Sequence, residues 1–265
     1  MNKQACDLDE IAAFLQHQLL SERYPGNEQG GIYRPSPKPV ARLGLVLHSW
    51  SGLPTWISDN QLDALWIHRP WAVDFSSIPA DLGVLYSHLP FDENLTVGYN
   101  LLLANLLGAV GQPEPLGFKQ SDTDKALPQR PIGMLVDVVT EEFDAVLQAV
   151  SQLFNGYDRA EAGRCQTRQH AISRIAVVGA MNESLIREAH SRGANLYLTG
   201  QYRKMTQKVV DETGIAVIAV GHQRSEAYGL RMLADLIHEK WPAMSVLMPI
   251  QHGSVSTVGS PVKSI

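Results

Sequence analysis

From Arg174 to Trp241 the chain repeats one pattern: a short aliphatic run, a turn residue, then a helix signal. Arg174–Val178 reads as a strand, and Asn182 caps a helix that Gly193 ends. Leu196–Thr199 is the next strand, followed by a helix from Arg203 to Thr213 that stops at Gly214. Ile215–Val220 is a third strand, and Ser225 starts a long helix through Leu236 to Trp241. A side-chain oxygen before a helix satisfies its first free N–H groups, and a glycine after it takes the left-handed turn that ends it. Strand and helix alternating at this spacing build βαβ units, so the fold class expected is α/β with a largely parallel sheet.

The same alternation extends upstream with less regularity. Asp7 precedes an amphipathic helix carrying Leu8, Ile11, Ala12, Leu15, Leu19 and Leu20. Tyr24 to Pro39 has no periodicity and reads as an exposed loop. Leu43–His48, Leu62–His68 and Leu82–His88 read as strands, and Leu95–Leu107 as one helix closed by Gly108. Gln112 to Arg130, polar and rich in proline, reads as a junction between lobes. Met134–Val139 is a strand, Thr140 caps a helix to Phe154, and Asn155 to Gln169 is a loop. The tail after Pro249 reads as mobile.

With 265 residues, 45% of them hydrophobic, the chain can bury a proper core. Its net charge of −5 and the lack of any Lys/Arg run exclude a phosphate-tracking surface, so duplex nucleic acid is not an expected partner. No window offers the roughly 20 apolar residues of a membrane span, and MNKQACDLDE lacks the apolar core of a secretion signal. Cys6 and Cys165 show no CxxC spacing, which argues against a disulfide framework and for a reduced, cytoplasmic setting.

Chemistry concentrates where three of the strands end. Leu65-Trp66-Ile67 runs into His68, Val84-Leu85-Tyr86 into His88 and Asp92, and Ile215–Val220 into Gly221, His222 and Glu226. Ligands of open α/β sheets gather at the carboxyl ends of strands, and histidine with carboxylate at three such ends is a divalent-metal donor set. His222 and Glu226 in GHQRSE stand four apart, so a helical turn would put both on one face to grip one cation. The other reading is a Ser225 cap beside a hydrogen-bonded histidine. His88 and Asp92 in SHLPFD are also four apart, across Pro90, and Asp92 equally suits a helix cap or turn. His68, like His48 in LHSW, can be a hydrogen-bonded core group as well as a ligand. Arg69 either binds an anion or reaches solvent. VVGAMN, with one glycine, falls short of a dinucleotide fingerprint, and there is no GxSxG.

HLPFDENLTVGYN resembles the H-[LT]-x-L-D…G-x-N segment of the dinuclear-metal-centre hexameric family, the GTP cyclohydrolase 1 type 2-like or NGG-interacting-factor-like proteins. The order also matches: a strand ending in histidine, then HLPxD, then LTG, then GHxxSE. The likeness is continuous from Ile175 to Pro242, covers most of residues 60 to 110 and 130 to 250, and is poor before residue 60. It implies two interlinked α/β lobes with mixed, largely parallel sheets flanked by helices: 1–120 joined by 220–265, and 121–219. It further implies a two-metal site in the cleft between lobes and a toroidal homohexamer. Residue by residue, it makes His68, Asp92, His222 and Glu226 the metal ligands, with Arg69, His88 and Gln201 as substrate or supporting groups.

Two departures from that pattern bear on function. The family has His-His where this chain has His68-Arg69, and a guanidinium stays protonated and cannot ligate a cation. The family's acid after LTG is Gln201 here. Both lower the appetite for a second divalent ion, leaving two, one or no ions per chain open. The His/Asp/Glu donor set suits Zn, Fe, Mn or Ni. The resemblance thus implies a metal-dependent hydrolase acting on a nucleotide-like or small anionic substrate. The alternative is a non-catalytic, oligomeric metal- or ligand-binding protein with a degenerate site.

Overall fold

The computed structural model describes residues 6–166 and 171–249, with backbone only for residues 165 and 166. The tail after Pro249 lies outside them. The chain divides into two compact units. One takes the residues up to Leu15, Gly30–Ser87 and those from Ala234 on; the other takes Gln16–Gln29 and His88–Leu233.

The first unit is built on a five-stranded sheet. Its strands are β1 (Gly31–Arg34), β2 (Arg42–Val46), β3 (Ala64–Ile67), β4 (Gly83–Tyr86) and β11 (Ser245–Leu247), in the order β1-β4-β3-β2-β11. All neighbours run parallel except β1, which lies antiparallel along β4. Helix α2 (Leu53–Asp59) links β2 to β3 and sends Leu53 and Ile57 into a core with Val46, Leu65, Ile67 and Val84. Helix α1 (Leu8–Gln18) opens at Asp7, whose N–H donates to the Glu10 carboxylate at 3.3 Å. Because β3 and β4 are parallel with Ile67 opposite Tyr86, the residues that follow them, His68 and Ser87, leave the sheet at one end.

The second unit has a six-stranded sheet. Its strands are β5 (Glu114–Lys119), β6 (Arg130–Glu141), β7 (Arg159–Glu161), β8 (Ile172–Val178), β9 (Leu196–Thr199) and β10 (Ala216–Ala219), ordered β5-β6-β8-β9-β10-β7. It is parallel across β8, β9 and β10 and antiparallel at both flanks. Its central strands read as unbroken apolar runs because both faces are covered. Ile175, Val177, Leu196, Leu198 and Ile218 enter one core with Phe143, Val150 and Tyr228, while Ala176, Val178, Tyr197 and Val217 enter the other with Leu185, Ile186 and Val210. The helices are α3 (Leu89–Leu95), α4 (Leu101–Leu106), α5 (Phe143–Phe154), α6 (Glu183–Ser191), α7 (Gln207–Thr213) and α8 (His222–Lys240), the last running on into the first unit. The α/β class with two mixed sheets flanked by helices is therefore the observed fold.

Several segments differ from the sequence reading. Tyr24 to Pro39 is not an exposed loop: Tyr24 is buried and Gly31–Arg34 forms β1. Gln112 to Arg130 holds β5, and the stretch after Asn155 holds β7. Leu95–Leu107 is two helices, because Thr96 Oγ1 donates to the Asp92 carbonyl (2.6 Å) at the end of α3 while the Asn100 side chain accepts from Leu103 N–H (3.0 Å) at the start of α4. Thr140 belongs to β6, and α5 starts after Glu142. Ser225 lies inside the first turn of α8, not before it.

Candidate metal centre

His68 is fully buried, and its Nδ1 lies 2.8 Å from the Ser87 carbonyl oxygen. A carbonyl only accepts, so Nδ1 carries the proton and Nε2 carries the lone pair, which is the tautomer and ring orientation of a ligating histidine. The parallel register of β3 and β4 produces this contact. His88, the next donor, follows Ser87 directly in the chain.

In the second unit, Pro90 sits in the first turn of α3, where its missing N–H costs nothing. That helical turn brings His88 and Asp92 onto one side, with Nε2 3.7 Å from Oδ2. His88 Nδ1 faces a second carboxylate, Glu28 Oε2, at 3.6 Å. Among the described residues, His68, His88 and Asp92 form a group of three donors that could hold a metal ion. His88, which the sequence reading placed in a supporting role, thus stands with the ligand candidates. Glu28 was missed altogether, since nothing in a stretch read as exposed loop marked it.

At the other strand end, Gly221 has φ +98 and a Cβ there would fall 2.6 Å from the Asp158 carboxylate, so only glycine fits this turn. The chain then enters α8 at once, which puts His222 and Glu226 on one face with Nε2 3.2 Å from Oε1. The Glu226 side chain is buried and that of His222 half exposed. Ser225 between them accepts the Val97 N–H at 3.3 Å, so it serves a packing contact and not a cap. His222 and Glu226 are not part of the group of three. Gln201 is exposed beyond β9, and Arg69 is partly buried with its backbone N–H on the Leu47 carbonyl.

Both pairs suit a shared cation. Two donors about 2.1 Å from one ion, at angles of about 100–125°, stand roughly 3.2–3.7 Å apart. The observed 3.2 Å and 3.7 Å match these values, and 3.7 Å is too long for a hydrogen bond. The donor set therefore fits a divalent ion.

Behind Asp92 the next residue, Glu93, enters a buried network. Arg130, 4% exposed, forks onto it with Nε to Oε2 at 2.6 Å and a terminal nitrogen to Oε1 at 3.0 Å. The Tyr24 hydroxyl donates to the same Oε2 at 2.8 Å, and the Arg130 guanidinium stacks 4.6 Å over the Tyr24 ring. Burial first, then the charge of Glu93, pushes the Tyr24 hydroxyl far above its ordinary range, so it acts only as an uncharged phenol.

The family model Duf34/NIF3 (NGG1p interacting factor 3) matches residues 75–252, about two thirds of the chain. A "GTP cyclohydrolase 1 type 2 homolog" of Pyrococcus abyssi is 23% identical over 260 residues, covering 91% of this chain and 96% of the relative. Among solved structures, TTHA1606 from Thermus thermophilus superposes with a TM-score of 0.67 at 19% identity, over 91% of this chain and 97% of that one. The Staphylococcus aureus hypothetical protein SA1388 gives 0.67 at 14% identity, over 96% and 99%. No helix among the described residues is long and apolar enough to cross a membrane. With two thirds of its length matched to one family model and its fold shared with these structures, the chain belongs to the Duf34/NIF3 family.

Proposed function

We propose that this chain is a metal-binding protein whose centre is formed by His68, His88, Asp92, His222 and Glu226, and that it hydrolyses a small anionic, nucleotide-like substrate. The observation that carries the reading is the Ser87 carbonyl on His68 Nδ1, which fixes Nε2 as the donating nitrogen. A divalent ion held there would supply a water of lowered pKa and polarise the bond to be cut. Asp92 or Glu226 would take the proton released, and Arg69, next to His68, would hold the substrate's negative charge through its planar fork. The "GTP cyclohydrolase 1 type 2 homolog" description belongs to the relatives and supports a nucleotide-like class no further than that. In this reading the protein works as a homo-oligomer, a hexamer by the family pattern, in a reducing compartment consistent with the free Cys6 thiol.

A second reading, binding without hydrolysis, draws on Arg69 and Gln201 standing where the family pattern has a ligand and an acid. The metal-loaded protein assayed against nucleotides and simple phosphoesters separates them. The first reading expects turnover that His68→Ala abolishes; saturable binding with no turnover establishes the second.

A further inference from the structure

The helix that carries Asp92 has little to hold it in place by itself. α3 has seven residues, too few to be stable alone, and its N-cap His88 makes no capping hydrogen bond. Burial of Pro90, Phe91 and Leu95 seats it, and Glu93, gripped by the Arg130 fork and the Tyr24 hydroxyl, fixes its direction. The same Tyr24 starts a closed turn that ends at Glu28: the Glu28 N–H donates to the Pro25 carbonyl at 2.7 Å, and Gln29 Nε2 donates to the Tyr24 carbonyl at 2.9 Å. Asn94 Nδ2 ties the Tyr24 hydroxyl and the Leu19 carbonyl, both at 3.0 Å, to α3. One buried network therefore sets two carboxylates, Asp92 one residue from Glu93 and Glu28 four residues from Tyr24, and these two flank the two nitrogens of His88.

We propose that Tyr24, Glu93 and Arg130 are positioning residues that preorganise His88 and Asp92 for a divalent ion, and that Glu28 orients the His88 ring from its Nδ1 side. Stability is a poor reason for such a network. A buried ion pair is matched or exceeded in stability by apolar side chains of similar volume, whereas a bidentate fork fixes direction. A carboxylate facing the far nitrogen of a ligating histidine is the usual support of a metal site. The network brings Glu28, 60 residues upstream of His88, to 3.6 Å from Nδ1, from where a small ring shift would close the hydrogen bond.

This inference rests on the metal reading above, and Co(II) titration followed by its visible ligand-field absorption tests the two separately. The triple variant Tyr24→Phe, Glu93→Leu, Arg130→Met removes all three polar partners at once, so it leaves no buried charge alone. Its melting midpoint should stay within about 5 °C of the parent. Its Co(II) affinity should fall about tenfold or more, with a changed absorption envelope. Should the triple variant fail to fold, Tyr24→Phe alone should weaken Co(II) about fivefold, and Glu28→Gln similarly. Unchanged affinity and spectrum in these variants would overturn the positioning role and leave the metal reading standing. A parent protein that gives no Co(II) spectrum would overturn both.

Discussion

His222 and Glu226 stand one helical turn apart at the start of α8, Nε2 3.2 Å from Oε1, with the histidine reaching solvent and the carboxylate buried. The spacing in GHQRSE becomes a donor pair only because Gly221 turns the chain straight from β10 into the helix. A carboxylate held in that position is suited to a cation.

The Glu226→Gln variant keeps the size of this side chain and removes its charge. In the parent, a divalent ion at 100 times its dissociation constant should raise the unfolding free energy by about 2.7 kcal/mol. Thermal melting with and without Zn(II) or Mn(II) should show that gain in the parent and lose most of it in the variant. An equal metal-induced rise in both would remove Glu226 from the ligand set.

Arg69 follows His68 where the family pattern has a second histidine. A guanidinium stays protonated and cannot ligate a cation, so a ligand for a second ion is lost at this position. Arg69→His should therefore raise the metal bound per chain after reloading, and equilibrium dialysis counts it. No increase would mean that the loss of a second ion has another cause.

Gly98 lies between α3 and α4, where a Cβ would fall 2.3 Å from the Glu93 carbonyl oxygen. The obstruction is backbone, so Gly98→Ala must push α3 aside, at a cost of about 1–3 kcal/mol. Chemical denaturation should show that loss, together with weaker metal binding because Asp92 rides on the same helix. A variant as stable as the parent would show that the turn can relax.

Cys6 gives a stability signature at high pH. Burial, then the hydrogen bond it donates to Glu10 at 2.9 Å, pushes the thiol from an ordinary 9.0 up to about 12. The unfolded chain releases this proton first. The contribution is therefore complete below about pH 9 and is lost as pH rises toward about 12. The stability difference between the parent and Cys6→Ala should be constant from about pH 7 to 8.5 and shrink above about pH 9. A difference flat to about pH 11 would mean the folded thiol titrates normally.

The interior strands of both sheets were legible in the sequence, and the sheet edges were not. The strands that are legible as apolar runs are interior to their sheets, and their ends located His68, His88 and His222. The four strands it hid, β1, β5, β7 and β11, are the four sheet edges. An edge strand is covered on fewer sides and carries polar residues, Gly or Pro, so GIYR, EPLGFK and RAE give no hydrophobic run. The apolar run Leu95–Leu107 reads as one helix, yet Gly98 and Asn100 divide it. They are a close backbone approach and a helix cap. The Arg130–Glu93 fork joins residues 37 apart, and Tyr24 reaches Glu93 across 69. Pairings of that kind come from the tertiary fold, and no local pattern announces them.

The central claim is a metal centre that takes one tightly bound divalent ion per chain. Elemental analysis by mass spectrometry, on protein purified without chelator and then reloaded with Zn(II), Mn(II), Fe(II) or Ni(II) in turn, tests it most directly. The expected result is one ion per chain for at least one of these metals, falling to none in His68→Ala and Asp92→Ala. No bound ion under any loading, or two fully occupied ions per chain in the unmodified protein, would contradict it.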